Sequence, residues 1–209
     1  LFLINNSMSF KEFYIKENES EFDFEYFKSL SHFSKQLLYA KGKLKKLGAG
    51  SSRIVFEYED KALKIAKNNK GVAQNKIETD NYIHQSHKNI VCKLLEEDKE
   101  CNWLLVQKAD KINNSRFEKL ANIKFETFYD LLTKFDKQKN GKLKLSNEDS
   151  EMLYGEEDTF LQQLVNLISN FDFIVNDFKK LTSFGEINNR IVVVDFGFTE
   201  SVYKEHYKR

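Results

Sequence analysis

The hydrophobic period of this chain changes once along its length, and that change does most to limit the fold. Between Leu44 and Ala109 the apolar residues fall in short β-rich runs, "RIVFEY", "KALKIA", "IVCKLLEE" and "CNWLLVQKA". Glu59-Asp60 and Asp98-Lys99-Glu100 supply turns between them. Residues 70–86 lack that alternation and read as a helix carrying Asn75, Glu78 and Tyr82 on one face. The order over this half is therefore β-β-β-α-β-β. After Asp110 the texture is helical, in "FETFYDLLTKF" (125–135) and "EEDTFLQQLVNLISNF" (156–171). In the second of these, Phe160, Leu161, Leu164, Val165, Ile168 and Phe171 form a broad apolar stripe, and the acidic residues 156–158 suit the positive end of the helix. A β-rich half followed by a helical half implies an α+β chain.

The ends of the chain fit the same scheme. Phe24, Phe27, Leu30, Phe33 and Leu37 recur at three- and four-residue steps, so 20–40 reads as one amphipathic helix capped by Ser20. Residues 1–7 precede a more typical start at Met8 and receive no role. The polar segment 136–155 reads as a mobile surface insertion. Near the other end, Ile191 to Val194 make a buried strand that delivers Asp195 into a Phe-Gly turn.

Composition removes several classes of protein. With 41% hydrophobic and 14% aromatic residues, the chain has the material for a core. Thirty-three basic against 32 acidic residues leave a net charge of +1, so there is no strong nucleic-acid signal. The run Lys41-Gly42-Lys43-Leu44-Lys45-Lys46 reads as a solvated strand edge. Two cysteines, Cys92 and Cys101, make neither a disulfide framework nor a zinc site. No apolar run approaches the ~20 residues of a membrane span, and no export signal stands out. These features predict a soluble, cytoplasmic protein with no membrane partner.

Two stretches then point to chemistry. In Gly48-Ala49-Gly50-Ser51-Ser52-Arg53 the glycines let backbone N–H groups approach a phosphate, although an ordinary hairpin turn explains the same residues. Strand alternation aims Val55 and Ala62 into one shared space, and Lys64 has the parity of Ala62. An ammonium on that apolar face needs an anion, because burying it unpaired is costly. Glu78 and the phosphates of a bound nucleotide are the two available. His84 and His87, three apart, read as surface residues, and Trp103 with the many Phe as core.

In sequence order, Gly48-x-Gly50-x-x-x-x-Val55, Ala62-x-Lys64, a helical Glu78, a two-strand hairpin and Asp195-Phe196-Gly197 resemble the protein kinase-like fold over about residues 43–199. The stretch "GSSRIV…ALKIAKNNKGVAQNKIE" also looks like small kinase-like proteins of tailed phages. The resemblance implies an N-terminal extension and helix (1–42), a five-stranded antiparallel N-lobe with one helix (43–109), and a reduced, mainly helical C-lobe (110–209). It implies ATP and Mg²⁺ as cofactors. Gly48, Gly50, Ser51, Ser52, Val55 and Ala62 would cover the nucleotide. Lys64 would hold phosphates and pair with Glu78, and Asp195 would take the metal. Gln107 and Ala109 would lie in a hinge that bonds adenine.

The family's catalytic loop is matched less fully. The nearest segment is "IVNDFKKLTSFG", where Asp177 is the candidate catalytic carboxylate and equally reads as a helix-to-loop cap. Thr182 and Ser183 stand where an Asn would hold a second metal, which leaves Ser183 as a weak metal candidate. Arg53 replaces the third loop glycine, bringing charge to the phosphates or obstructing the loop. With 14 residues after Asp195, the usual peptide-substrate platform is not expected. Two functions stay open: a minimal phosphotransferase acting on a protein or small-molecule hydroxyl, or a pseudokinase. The second would be a non-catalytic binding module, such as a phage factor acting on a host protein in the host cytoplasm. A purely structural role, indifferent to nucleotide, is the third.

Overall fold

Strand alternation between Leu44 and Ala109 is realised as one antiparallel sheet in the computed structural model, which describes residues 21–208. Its strands are β1 (Lys45–Ala49), β2 (Arg53–Tyr58), β3 (Lys61–Ala66), β4 (Leu94–Glu97) and β5 (Trp103–Gln107), in the order β1-β2-β3-β5-β4. In the β2–β3 register Val55 faces Lys64 and Phe56 faces Leu63. Because side chains alternate between faces, this register sorts them into two sets. Ile54, Phe56, Leu63, Ile65, Trp103 and Leu105 form one apolar cluster. Ala62, Leu104 and Val106 face the other way and join Cys92, Ile187 and Val192.

The first cluster is covered by helices α1 (Phe24–Ser29) and α2 (Phe33–Lys43), through Phe27 and Ala40. The single helix expected over 20–40 is thus broken. His32 adopts an extended backbone and its ring accepts the Ser34 N–H, which caps α2 and stops α1 from continuing. Asp23 caps α1 by accepting from Tyr26 N at 3.0 Å. The expected Ser20 cap and residues 1–7 lie outside the described residues.

The helix expected over 70–86 is also two, α3 (Asn69–Glu78) and α4 (Asn81–Ser86), because the Asp80 side chain caps a new start at Tyr82 N. Asn75 and Glu78 are buried, whereas Tyr82, expected on the same helical face, is exposed. Helix α3 lies close against β3 and the β1–β2 loop. A Cβ on Gly71 would sit 2.2 Å from the Ser52 carbonyl oxygen and 3.0 Å from Ala66 Cα.

The second half contains α5 (Asn114–Ala121), α6 (Phe125–Lys139), α7 (Asn147–Tyr154), α8 (Phe160–Phe171) and α9 (Glu200–His206). It also holds a small sheet of β6 (Asp110–Lys111), β7 (Phe184–Ile187) and β8 (Arg190–Val193), in the order β6-β7-β8. The α8 stripe is buried through Leu161, Leu164, Val165 and Ile168, against Phe117, Phe128, Leu132 and Phe178. Residues 156–158 precede α8 instead of forming its first turn. Its cap is Thr159, in a reciprocal box with Gln162.

The stretch 136–155 is no loose insertion. It completes α6 and forms α7, whose Leu153 is buried in the core and whose Asp149 pairs with Lys134 at 2.9 Å. No helix among the described residues is long and apolar enough to cross a membrane.

Candidate functional site

Period two places Arg53, Val55, Ala62 and Lys64 on one face of the β2–β3 hairpin, because Arg53 pairs with Ala66 and Val55 with Lys64. The last turn of α3 brings Glu78 beneath that face. Strand β8 leads to Asp195 from the other side. Val193 N donates to Ile90 O at 2.7 Å and Val194 N to Ser183 O at 2.9 Å, fixing the approach of the turn.

Lys64 is buried and donates to Glu78 Oε2 and, at 2.7 Å, to the Val194 carbonyl. The other oxygen of Glu78 accepts from the Phe196 backbone N–H at 3.3 Å and from Arg53 Nη1 at 2.7 Å. Glu78 therefore joins the sheet lysine to the Asp-Phe-Gly turn. Burial alone would push its carboxyl up, but the charges of Arg53 and Lys64 outweigh burial and hold it down at about 2.

The residue whose place the sequence did not settle is Arg53. It neither reaches out over the loop nor obstructs it. Its guanidinium is buried, with Nη1 also on Asn75 Oδ1 at 3.2 Å and Nη2 on Asp195 Oδ1. Burial opposes its charge, yet Glu78 and Asp195 hold it above its ordinary value. Asp195 itself is open, with 64% of its side chain exposed. The signal that could have placed Arg53 is its parity with Val55.

The loop between β1 and β2 has a specific support. Gly50 N donates to Arg53 O at 2.9 Å, and Lys67 Nζ donates to Gly50 O at 2.9 Å. Ser51 is exposed, whereas Ser52 is buried and donates to Gln74 on α3. Neither Gly48 nor Gly50 has a positive φ, and a Cβ on either would meet nothing within 4 Å. Neither position needs glycine's special conformations, and both polar backbone groups of Gly50 are bonded within the protein. Gly197 differs: a Cβ there would lie 2.4 Å from Gln74 O, so the turn docks directly on α3.

An apolar cluster joins the two sheets, with Ala62, Leu104 and Val106 from the larger and Ile187 and Val192 from the smaller; Val55 and Ala109 pack against it. Burial raises the Cys92 thiol in this cluster to about 11. Of the two residues expected in a hinge, Gln107 already donates its backbone N–H to Lys93 O at 2.9 Å. Its amide is spent within the protein.

Asp177 lies in the 3₁₀ turn Val175–Lys179 and is partly buried. Burial raises its carboxyl above the ordinary value, Lys180 at 3.4 Å works against this, and Asp195 adds to it. Its backbone carbonyl accepts the Ser183 hydroxyl at 2.5 Å, so Ser183 braces the Asp177 turn and the approach of β8. A cleft of about 380 Å³ opens on this side, lined by Asp177, Asn176, Asp136, Phe198, Glu200 and Tyr203 among others. Lys64, Glu78 and Val55 do not line it.

His84 does not lie free at a helix end: its Nε2 is 2.7 Å from Glu78 O. His87 is buried against Phe171, contrary to the surface reading. Among the described residues no three His, Cys, Asp or Glu side chains converge as a metal cage.

No protein-family model and no curated protein matches the chain. Among solved structures, it is similar to ADP-bound aminoglycoside phosphotransferase APH(2'')-Ib at 14% identity and a TM-score of 0.37, over 80% of this chain and 71% of that one. It is similar also to the streptomycin–ATP–APH(2")-IIa ternary complex at 16% identity and a TM-score of 0.37, over 81% of this chain and 71% of that one.

Proposed function

We propose that the chain is a kinase-like, ATP-binding protein whose nucleotide site lies between the two sheets. One observation carries this reading: a buried Lys64–Glu78 pair tied both to the Val194 carbonyl and to the Phe196 amide, next to an exposed Asp195. A structural ion pair needs no open carboxylate at its end. A nucleotide site does, since the lysine must be held in place and a carboxylate beside it holds the cation that meets the phosphates.

In this reading the loop from Gly48 to Ser51 covers the phosphates, and Lys64 offers its remaining N–H to them. Val55, Ala62 and Val106 enclose the base. Ala109, rather than the committed Gln107 amide, bonds its edge. Asp195, exposed but with Oδ1 paired to Arg53, keeps one carboxylate oxygen with which it would hold Mg²⁺. When bound it would neutralise part of the phosphate charge. Asp177, its proton affinity raised by burial, would orient an acceptor hydroxyl presented from the cleft beside it.

A non-catalytic binding module is the second reading. It is favoured by Ser183, whose hydroxyl is committed to the Asp177 carbonyl, where a kinase of full activity would offer an amide oxygen to a metal. Thermal unfolding with and without ATP and Mg²⁺ tests nucleotide binding, with an expected upward shift of several degrees, abolished by Lys64→Ala. Phosphate transfer or ATP hydrolysis, absent in Asp177→Ala, then separates enzyme from module. No shift in the wild type would overturn both readings.

A further inference from the structure

A site that takes nucleotide through one lysine and two carboxylates carries a net negative charge, and needs a divalent cation before a polyphosphate can settle. Here Lys64, Glu78 and Asp195 do not stand alone. Arg53 enters from β2 and contacts both carboxylates, Glu78 through Nη1 at 2.7 Å and Asp195 through Nη2. The charges of the four side chains then cancel.

We infer that Arg53 is a built-in cation that occupies the metal position of Asp195, so that this site binds nucleotide without requiring Mg²⁺. The inference rests on the nucleotide site proposed above and concerns what fills it. Three features support it. Among the described residues, Arg53 is the side chain paired with Asp195, and the pairing takes one of the two carboxylate oxygens a metal would need.

The guanidinium is also held from behind, by Glu78 and by Asn75 Oδ1 at 3.2 Å, and Asn75 is in turn anchored to Cys101 O at 2.8 Å. It is buried and never loses its proton under ordinary conditions, so its charge is permanent. Finally, a charge so little screened by solvent acts strongly on an anion brought beside it. A metal arriving at Asp195 must displace this cation or share the carboxylate with it.

Equilibrium binding of a fluorescent ADP analogue, in buffer with Mg²⁺ and in buffer with EDTA, tests the inference on the full chain. The wild type is expected to bind within about threefold equally in the two buffers, a difference below 1 kcal/mol. Arg53→Met, which keeps length and loses charge, is expected to lose at least about tenfold in EDTA and much less in Mg²⁺. Should that variant not fold by circular dichroism, Asp195→Asn carries the same test. It leaves Arg53 in place and is expected to bind in EDTA at least as well as the wild type, with no response to Mg²⁺. Wild-type binding that falls more than about thirtyfold in EDTA overturns the inference and leaves the nucleotide site standing. No binding in either buffer overturns the nucleotide site as well.

Discussion

Burying Lys64, Arg53 and Glu78 together makes each dependent on the others, because a charge without its partner in that place has neither water nor counter-ion. Glu78→Gln removes the anion shared by Arg53 and Lys64 and is expected to destabilise the protein by about 3–5 kcal/mol in urea denaturation. The same group sets an acid limit. Its carboxyl is lowered from 4.5 to about 2 in the folded protein, so its contribution is complete above pH 4.5 and is lost as pH falls toward about 2. Denaturation at pH 5 and pH 3 should show the wild type losing more stability across that interval than Glu78→Gln. Equal losses would mean that Glu78 is not held ionised by its neighbours. At this scale Lys64, Glu78 and Asp195 were legible from strand parity and sequence order. Arg53 was not, since reading it as a substituted loop glycine hid the parity it shares with Val55.

Elements were legible where a stripe of apolar residues was long, as in α8, and less so where a short polar side chain decided a boundary. The breaks after α1 and α3 depend on His32 and Asp80 accepting backbone N–H groups, local bonds that compete with helix continuation without altering the apolar spacing. Spacing therefore predicted one helix where two exist. The glycines separate by the same logic into packed and open positions. Gly71→Ala drives a Cβ into the Ser52 carbonyl and is expected to cost about 1–3 kcal/mol. Gly50→Ala meets nothing and should change stability by less than about 0.5 kcal/mol, while weakening nucleotide binding through bulk over the phosphates. A large loss of stability in Gly50→Ala, or none in Gly71→Ala, would contradict the packing described for β2 and α3.

Across the whole molecule, three apolar clusters divide the work: one under α1 and α2, one between the sheets, and one among the helices of the second half. The first matters because it backs the strands that carry Arg53 and Lys64 on their opposite face. Phe27, fully buried against the sheet with its ring 5.6 Å from that of Trp103, anchors it. Phe27→Ala is expected to cost about 3–5 kcal/mol in urea denaturation. If the variant unfolds within 1 kcal/mol of the wild type, the helices before Lys45 are an appendage and not part of the sheet's support.

The sequence alone determined the α+β division, the order of the five strands between Leu44 and Ala109 and the facing of Lys64, because hydrophobic period and strand parity are local properties. It could not say which residues would meet across that order. Arg53 and Asp195 are separated by most of the chain, and only the docking of the Asp195 turn on α3, with Gly197 against Gln74, brings the guanidinium onto the carboxylate. Where a long side chain ends depends on the partners that other elements deliver to it. The tertiary structure therefore set a permanent cation against the carboxylate that the family resemblance had assigned to a metal.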